Sequence, residues 1–133
     1  MWRATITGLI LANLLSPAAA QEQEFPRVIG NQIEAFKIDD FETAFTFAAP
    51  GIRNMFGTSD NFGRMVQQGY PMVWRPDDVE YLAARQTNQG WQQEILITDV
   101  DGRLHKLAYL MVETPDGWKI AGVQILAAPE VGA

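Results

Sequence analysis

The spacing of hydrophobic residues changes near Pro76, and this change constrains the fold more than any other feature of the sequence. Before Pro76, apolar residues recur at intervals of three and four, as expected for helices that bury one face. After Pro76, they recur at about every second position, which is typical of strands. A chain of 133 residues with helices first and strands afterwards fits one domain of the α+β class, with N-terminal helices packed on an antiparallel sheet of about four to five strands.

Prolines and capping residues divide the first half of the chain into three predicted helices. Pro26 suits a first helical turn, so it marks the start of the first helix. Asp39 and Glu42 have the spacing of a capping box, and Pro50 is expected to end the helix that they begin. The three predicted helices run from Pro26 to about Asp39, from Asp39 to Pro50, and from an N-cap at Thr58 or Ser59 to Gly69.

Turn signals divide the second half into four predicted strands that form an antiparallel meander. In "TPDGW", Pro115 presets a type I turn and Gly117 takes the left-handed position. This turn would place Thr114 opposite Trp118. The strands are expected at residues 79–85, 91–98, 103–113 and 118–126, with turns at 88–90, 101–102 and 115–117.

The last predicted hairpin is apolar on both of its faces. An antiparallel sheet commonly leaves one face in water, so the second apolar face needs a cover. That cover is a cavity enclosed by the sheet, a ligand, or another subunit. The alternation places Leu110, Val112, Ile120 and Leu126 on one face, and Leu107, Tyr109, Met111, Ala121, Val123 and Ile125 on the other.

Residues 1–20 have the features of a signal peptide. Arg3 gives a positive start, an apolar run follows over residues 6–15, and three alanines precede Gln21 as a cleavage site. The apolar run is shorter than the roughly 20 residues of a membrane span. We therefore expect cleavage before Gln21, a single domain over residues 21–133 without a membrane span, and a periplasmic or secreted protein.

The charge and cysteine content exclude several kinds of partner. The chain has 10 Lys and Arg against 16 Asp and Glu, a net charge of −6 at pH 7. Because binding to a phosphate backbone relies on clustered Lys and Arg, no nucleic-acid partner is expected. With no cysteine, the chain can form neither a disulfide nor a lipid-modified N-terminal Cys.

The order of helices and strands resembles the nuclear-transport-factor-2-like superfamily, in which a curved sheet wraps the first helices into a cone. More closely, three stretches look like a bacterial family catalogued as domain of unknown function 4864: "QIEAFKIDDFETAFTFAAPGIRNMFG", "GYPMVWRP" and "MVETPDGWKIAGVQIL". The resemblance implies a cone-shaped α+β fold behind a signal peptide. It implies no established activity, so any site must be argued from the residues.

The stretch "GYPMVWRP" has two interpretations. Its two prolines disfavour helix for the residues before them, so an extended edge strand or corner is expected there. In the first interpretation the aromatic side chains only pack at the interface of helices and sheet. In the second they line a cavity, with Arg75 at its rim to bind a carboxylate or phosphate. The candidate ligand-binding residues are Tyr70, Met72, Trp74, Arg75, Tyr109 and Met111.

No catalytic residue, metal ligand or cofactor site is expected. Asp39 and Asp40 invite comparison with the ketosteroid isomerases of the same superfamily, but helix capping explains this pair more simply. His105 is the single histidine and has no second metal ligand at a suitable spacing, so an exposed strand residue is expected. Tyr109 and Glu113 share its face and are expected to be exposed or in a dimer contact, unless that face turns inward.

The sequence therefore predicts a cofactor-free binding or accessory module whose cavity holds a small apolar or amphipathic ligand or a partner segment. One alternative is an isomerase or hydrolase that uses His105, Tyr109 or Glu113 as a general acid or base. Another is a structural homodimer in which the second copy covers the second sheet face.

Overall fold

The computed structural model describes residues 17–127, with side chains from residue 23 onward. Most of the predicted signal peptide lies outside the described residues. The described chain forms five helices followed by four strands, as the α+β prediction requires. The helices are α1 (Pro17–Lys37), α2 (Phe41–Thr46), α3 (Pro50–Phe56), α4 (Ser59–Gly69) and α5 (Pro71–Trp74), and the strands are β1 (Pro76–Thr87), β2 (Gly90–Asp99), β3 (Leu104–Thr114) and β4 (Gly117–Leu126).

Helix α1 begins nine residues before the predicted start, and Pro26 lies inside it. A proline within a helix removes one backbone donor and crowds the preceding turn, so the helix needs support from packing there. Phe25 gives that support, because it is fully buried with its ring edge-on to Trp118 at 4.9 Å between ring centroids. Tertiary packing has therefore overridden the local signal that Pro26 provides.

The junction between α1 and α2 differs from the predicted capping box by one residue. Asp39 has a positive φ of 56° and ends α1, with its N–H donating to Phe36 O and the N–H of Asp40 donating to Ala35 O. This is the Schellman arrangement of a helix C-terminus. Asp40 then caps α2, because its carboxylate accepts a hydrogen bond from the N–H of Thr43 at 3.1 Å.

The second predicted helix is shorter than expected, and a helix that was not predicted follows it. Helix α2 ends at Thr46 because the next residues pair with β4: the N–H of Ile120 donates to Phe47 O and the N–H of Ala49 donates to Ile120 O. Pro50 starts α3 rather than stopping a helix, since proline fits the first helical position. Helix α4 is confirmed, with the Thr58 hydroxyl accepting from the N–H of Asn61 as its N-cap.

The prediction of an extended segment at "GYPMVWRP" is wrong. Residues Pro71–Trp74 form the single turn α5, because Pro71 again occupies the first helical position. The N–H groups of Val73 and Trp74 both donate to Tyr70 O. The first proline of the stretch therefore starts a helical turn, and only Pro76 begins a strand.

The four strands form one antiparallel sheet in the order β1-β2-β3-β4, so the predicted meander is confirmed. The last hairpin is one residue out of the predicted register at its turn, since Thr114 pairs with Gly117 rather than Trp118. A bulge at Ala121 restores the predicted register beyond it, where Tyr109 pairs with Val123.

One face of the sheet packs against the helices and forms the core. The bulge turns Ile120 to this face beside Met111, which corrects the predicted placement of Ile120 with Leu110. Tyr109 is also buried here, so this face turns inward and Tyr109 is not exposed. The buried sheet residues of the core are Ile95, Ile97, Leu107, Tyr109, Met111 and Ile120.

The other sheet face has no covering layer within the described residues. Its aliphatic side chains are half-buried, and Glu94, only 8% exposed, forms ion pairs with Arg85 and with Lys106 at 3.5 Å. Among the described helices, none has both the length and the apolar composition to cross a membrane. The half-buried aliphatic residues of this outer face include Leu96, Leu110, Val112 and Leu126.

Candidate functional site

A cavity of about 430 Å³ lies between the helices and the last two strands. This volume falls within the range of ordinary small-molecule sites. Its walls come from α1, α3, α4, the start of α5, β3 and β4, so every layer of the fold contributes to it. The lining residues are Gln32, Phe36, Ala48, Ile52, Met55, Phe56, Phe62, Met65, Val66, Tyr70, Val73, Tyr109, Ile120, Ala121, Gly122 and Val123.

Helix α3 forms the outer wall of the cavity. It has no buried residue, and it presents Ile52, Met55 and Phe56 to the cavity. Met55 is 76% exposed. The helix ends at Gly57, whose φ of 75° lies in the region that glycine adopts without strain. Ile52 and Phe56 are half-buried against the core, so α3 forms a wall of the cavity on the solvent side.

Tyr109 is the main polar side chain on the sheet wall of the cavity. Its ring is fully buried, and its hydroxyl has no hydrogen-bond partner among the described residues. Burial raises its pKa well above the ordinary value, and the nearby Tyr81 and Tyr70 add to this shift. Tyr109 therefore keeps its proton across the whole working range of pH and offers an O–H donor that the protein leaves unused.

The other two polar side chains of the lining are already partnered. The Tyr70 hydroxyl donates to Val123 O at 3.3 Å, which links the end of α4 to β4. The Gln32 side-chain amide donates to Ala44 O at 3.1 Å, which links α1 to α2. No Asp, Glu, Lys, Arg or His lies among the lining residues. The cavity is therefore apolar and uncharged, with a single unused hydroxyl.

The structure divides the six predicted ligand-binding residues among three places. Tyr70 and Tyr109 meet at the cavity. Met111 is buried in the core beside Ile120 and does not line the cavity. The remaining three lie along a separate surface groove between α5 and the turn that joins β2 to β3, namely Met72, Trp74 and Arg75.

In that groove, Arg75 is held by the protein itself. Its guanidinium lies 4.0 Å from the Trp74 ring centroid, donates to Phe36 O at 2.6 Å and pairs with Asp39 at 2.8 Å. The Trp74 indole N–H donates to the same Asp39 oxygen at 2.8 Å. These hydrogen bonds lower the pKa of Asp39, and the bond from Trp74 contributes the most. Arg75 and Trp74 thus tie α5 to the end of α1, as a packed corner would.

His105 lies at the other side of the groove and is half-buried rather than exposed. Its Nε2 lies 2.8 Å from a carboxylate oxygen of Asp99. This hydrogen bond is the main reason that the pKa of Asp99 is lowered. Asp99 also accepts from the N–H groups of Asp101 and Arg103, so residues 99–102 form a hairpin turn. Within residues 17–127, no three His, Asp or Glu side chains converge as a metal site would require.

Most of the helical lining of the cavity was not predicted from the sequence. Its clearest available signal was Gln32, a polar residue that lies between Ile29 and Ile33 on the apolar stripe of α1. A buried side-chain amide at such a position needs hydrogen-bond partners, and the wall of a cavity is one place where they are available. The contribution of α3 had no signal, because that helix was not predicted.

Comparison with known protein families identifies a match that covers most of the chain. The profile of a family described as "Domain of unknown function (DUF4864)" matches residues 18–133. No curated protein and no solved structure matches the chain, so no likeness to a solved fold supports the cone-shaped superfamily named above. The match covers all but the first 17 residues of the chain. This protein therefore belongs to the DUF4864 family.

Proposed function

We propose that this protein is a non-catalytic binding module that holds a small amphipathic molecule in the cavity. The observation that carries this proposal is the Tyr109 hydroxyl, which is buried at an apolar cavity without a partner. A buried polar group left unpaired costs about 1–3 kcal/mol. Folded proteins keep few such groups, and a ligand atom that accepts this hydrogen bond would recover the cost.

The chemistry of the lining favours binding over catalysis. General acid–base catalysis works best with a group whose pKa lies near the operating pH. Burial moves the pKa of Tyr109 upward, away from neutrality, and no carboxylate or imidazole lines the cavity. His105 lies in the separate groove, and Glu113 is exposed, so two of the three candidate acid–base residues lie away from the cavity.

Native mass spectrometry tests the proposal. The protein is purified gently from its own host and compared with Tyr109→Phe and with Tyr81→Phe. Tyr81 is a matched control, because it lies on the same sheet face but does not line the cavity. We expect an extra mass on the wild type and on Tyr81→Phe that is lost on denaturation and reduced in Tyr109→Phe. Wild-type protein that carries no extra mass from any preparation would contradict the proposal.

We also propose that the protein acts outside the cytoplasm. The support is the sequence of residues 1–20, with its positive start, apolar run and three alanines. The mass of the protein recovered from its host tests this directly. A chain that begins at Gln21 supports export, and a full-length chain in the cytoplasmic fraction would contradict it.

A second candidate function, homodimer formation, is favoured by the outer sheet face. A two-fold interface pairs a surface with itself, so it works best when both charge signs are present. The outer face carries Glu94 between Arg85 and Lys106, among half-buried aliphatic side chains. Sedimentation of wild type and Leu110→Lys distinguishes the outcomes: a dimer that Leu110→Lys dissociates supports this function, and a monomer at micromolar concentration contradicts it.

A further inference from the structure

Resting on the proposed function, we infer that the ligand of the cavity is an uncharged, largely apolar molecule that carries a hydrogen-bond acceptor, such as an ester or ketone oxygen, for Tyr109. This assigns a chemical class to the ligand. A carboxylate or an amine of the same size is excluded by the same reasoning.

The exclusion of charged ligands follows from the lining. No side chain that is charged at neutral pH lines the cavity. Two arginines close to lining residues in the sequence have contacts of their own: Arg75 is held by Phe36 O and Asp39, and Arg53 lies over the Phe45 ring at 5.4 Å. A charged group that leaves water without an opposite charge loses solvation free energy. Contacts with an apolar wall compensate for only a small part of this loss. An ion therefore binds in this cavity much more weakly than its neutral analogue.

The need for an acceptor follows from the protonation state of Tyr109. Tyr109 lines the cavity, and burial raises the pKa of its hydroxyl, so this group is neutral and has one proton to donate. Tyr70 and Gln32 already donate to Val123 O and Ala44 O. The Tyr109 hydroxyl is the one fully buried side-chain oxygen or nitrogen of the described residues without a partner, so an oxygen or nitrogen lone pair beside it would complete the hydrogen bonding there. A ligand without one fills the space but leaves this hydroxyl unpaired.

Three probes of one skeleton separate these requirements: methyl 2-naphthoate, which is neutral with an acceptor, 2-ethylnaphthalene, which is neutral without one, and 2-naphthoate, which is an anion. Equilibrium dialysis at pH 8 measures the dissociation constant of each with wild type, Tyr109→Phe and Tyr81→Phe. The ester should bind at least about tenfold more tightly than the anion. The preference for the ester over the hydrocarbon should fall about fivefold to tenfold in Tyr109→Phe.

The control and the contrary outcomes are distinct. Tyr81→Phe should leave all three constants unchanged, because Tyr81 does not line the cavity. If 2-naphthoate binds as tightly as the ester, or if Tyr109→Phe leaves the preference for the ester intact, the ligand class is wrong while the binding function stands. If none of the three probes binds the wild type, the binding function itself is overturned.

Discussion

Tyr70 and Tyr109 line the same cavity, but only one of their hydroxyls is paired: that of Tyr70 donates to Val123 O at 3.3 Å, and that of Tyr109 has no partner among the described residues. The two side chains therefore have different roles although they line the same cavity. Tyr70 joins α4 to the sheet. Tyr109 carries a donor that folding does not use, which is the basis of the binding proposal.

Tyr109→Phe should stabilise the empty protein. The substitution keeps the ring and removes a hydroxyl that is buried without a partner, so the free energy of unfolding should rise by about 1–3 kcal/mol. Urea unfolding of ligand-free protein measures this change. Most core substitutions destabilise, so the direction is diagnostic. A fall in the free energy of unfolding would mean that the hydroxyl has a partner within the fold.

Tyr70→Phe should have the opposite effect. It removes the hydrogen bond to Val123 O and leaves that carbonyl without this donor, so the free energy of unfolding should fall by about 0.5–1.5 kcal/mol. The same urea experiment serves, with Tyr109→Phe as the isosteric comparison. Equal changes in the two variants would show that the two hydroxyls do not differ.

Gly63→Ala in α4 should destabilise the protein although alanine is the better helix former. A Cβ at this position would lie 2.6 Å from the ring of Phe41, so α2 and α4 would have to separate. We expect a loss of about 1–3 kcal/mol, the usual cost of overpacking. Gly69→Ala in the same helix is the control, because its Cβ would meet no atom within 4 Å. A neutral Gly63→Ala would refute this close approach.

Asp39→Asn should reduce the loss of folding stability as the pH falls below 4. The hydrogen bonds from Trp74 and Arg75 lower the pKa of Asp39 below its usual value of 3.8. A lowered pKa in the folded state stabilises the fold above the unfolded pKa, and this stabilisation is lost as pH falls through the folded value. Wild type should therefore lose more stability than Asp39→Asn between pH 4 and lower pH, as urea midpoints report.

Asparagine is a suitable replacement because it tolerates the positive φ of Asp39 and can still accept from the Trp74 indole. Asp40 also has a lowered pKa, but it is present in both proteins and cancels in the comparison. Parallel acid profiles for wild type and Asp39→Asn would show that the pairing with Arg75 is absent in solution.

The sheet could be predicted from sequence because its signal is local. Alternation and glycine turns place all four strands within a few residues of their true bounds. The register near the last turn could not be predicted, since the bulge at Ala121 depends on how Ile120 packs and bonds to Phe47 and Ala49. The family was also identified from residue stretches and is confirmed by the match over residues 18–133.

The predicted positions of three prolines in helices and strands were wrong for the same physical reason. Proline is compatible with a first helical turn, with an edge strand and with the end of a helix, and only tertiary packing selects among these. Pro26, Pro50 and Pro71 were each assigned differently from what the structure shows. Because α3 lines the cavity, the error at Pro50 left this part of the wall unpredicted. Of the six predicted ligand-binding residues, only Tyr70 and Tyr109 line the cavity.

A crystal structure of the protein as purified from its own host tests the central claim most directly. We expect electron density for a small molecule in the cavity, with one of its oxygen or nitrogen atoms about 2.5–3.0 Å from the Tyr109 hydroxyl. A cavity that holds only water or nothing, with the Tyr109 hydroxyl bonded to another group of the protein, would contradict it.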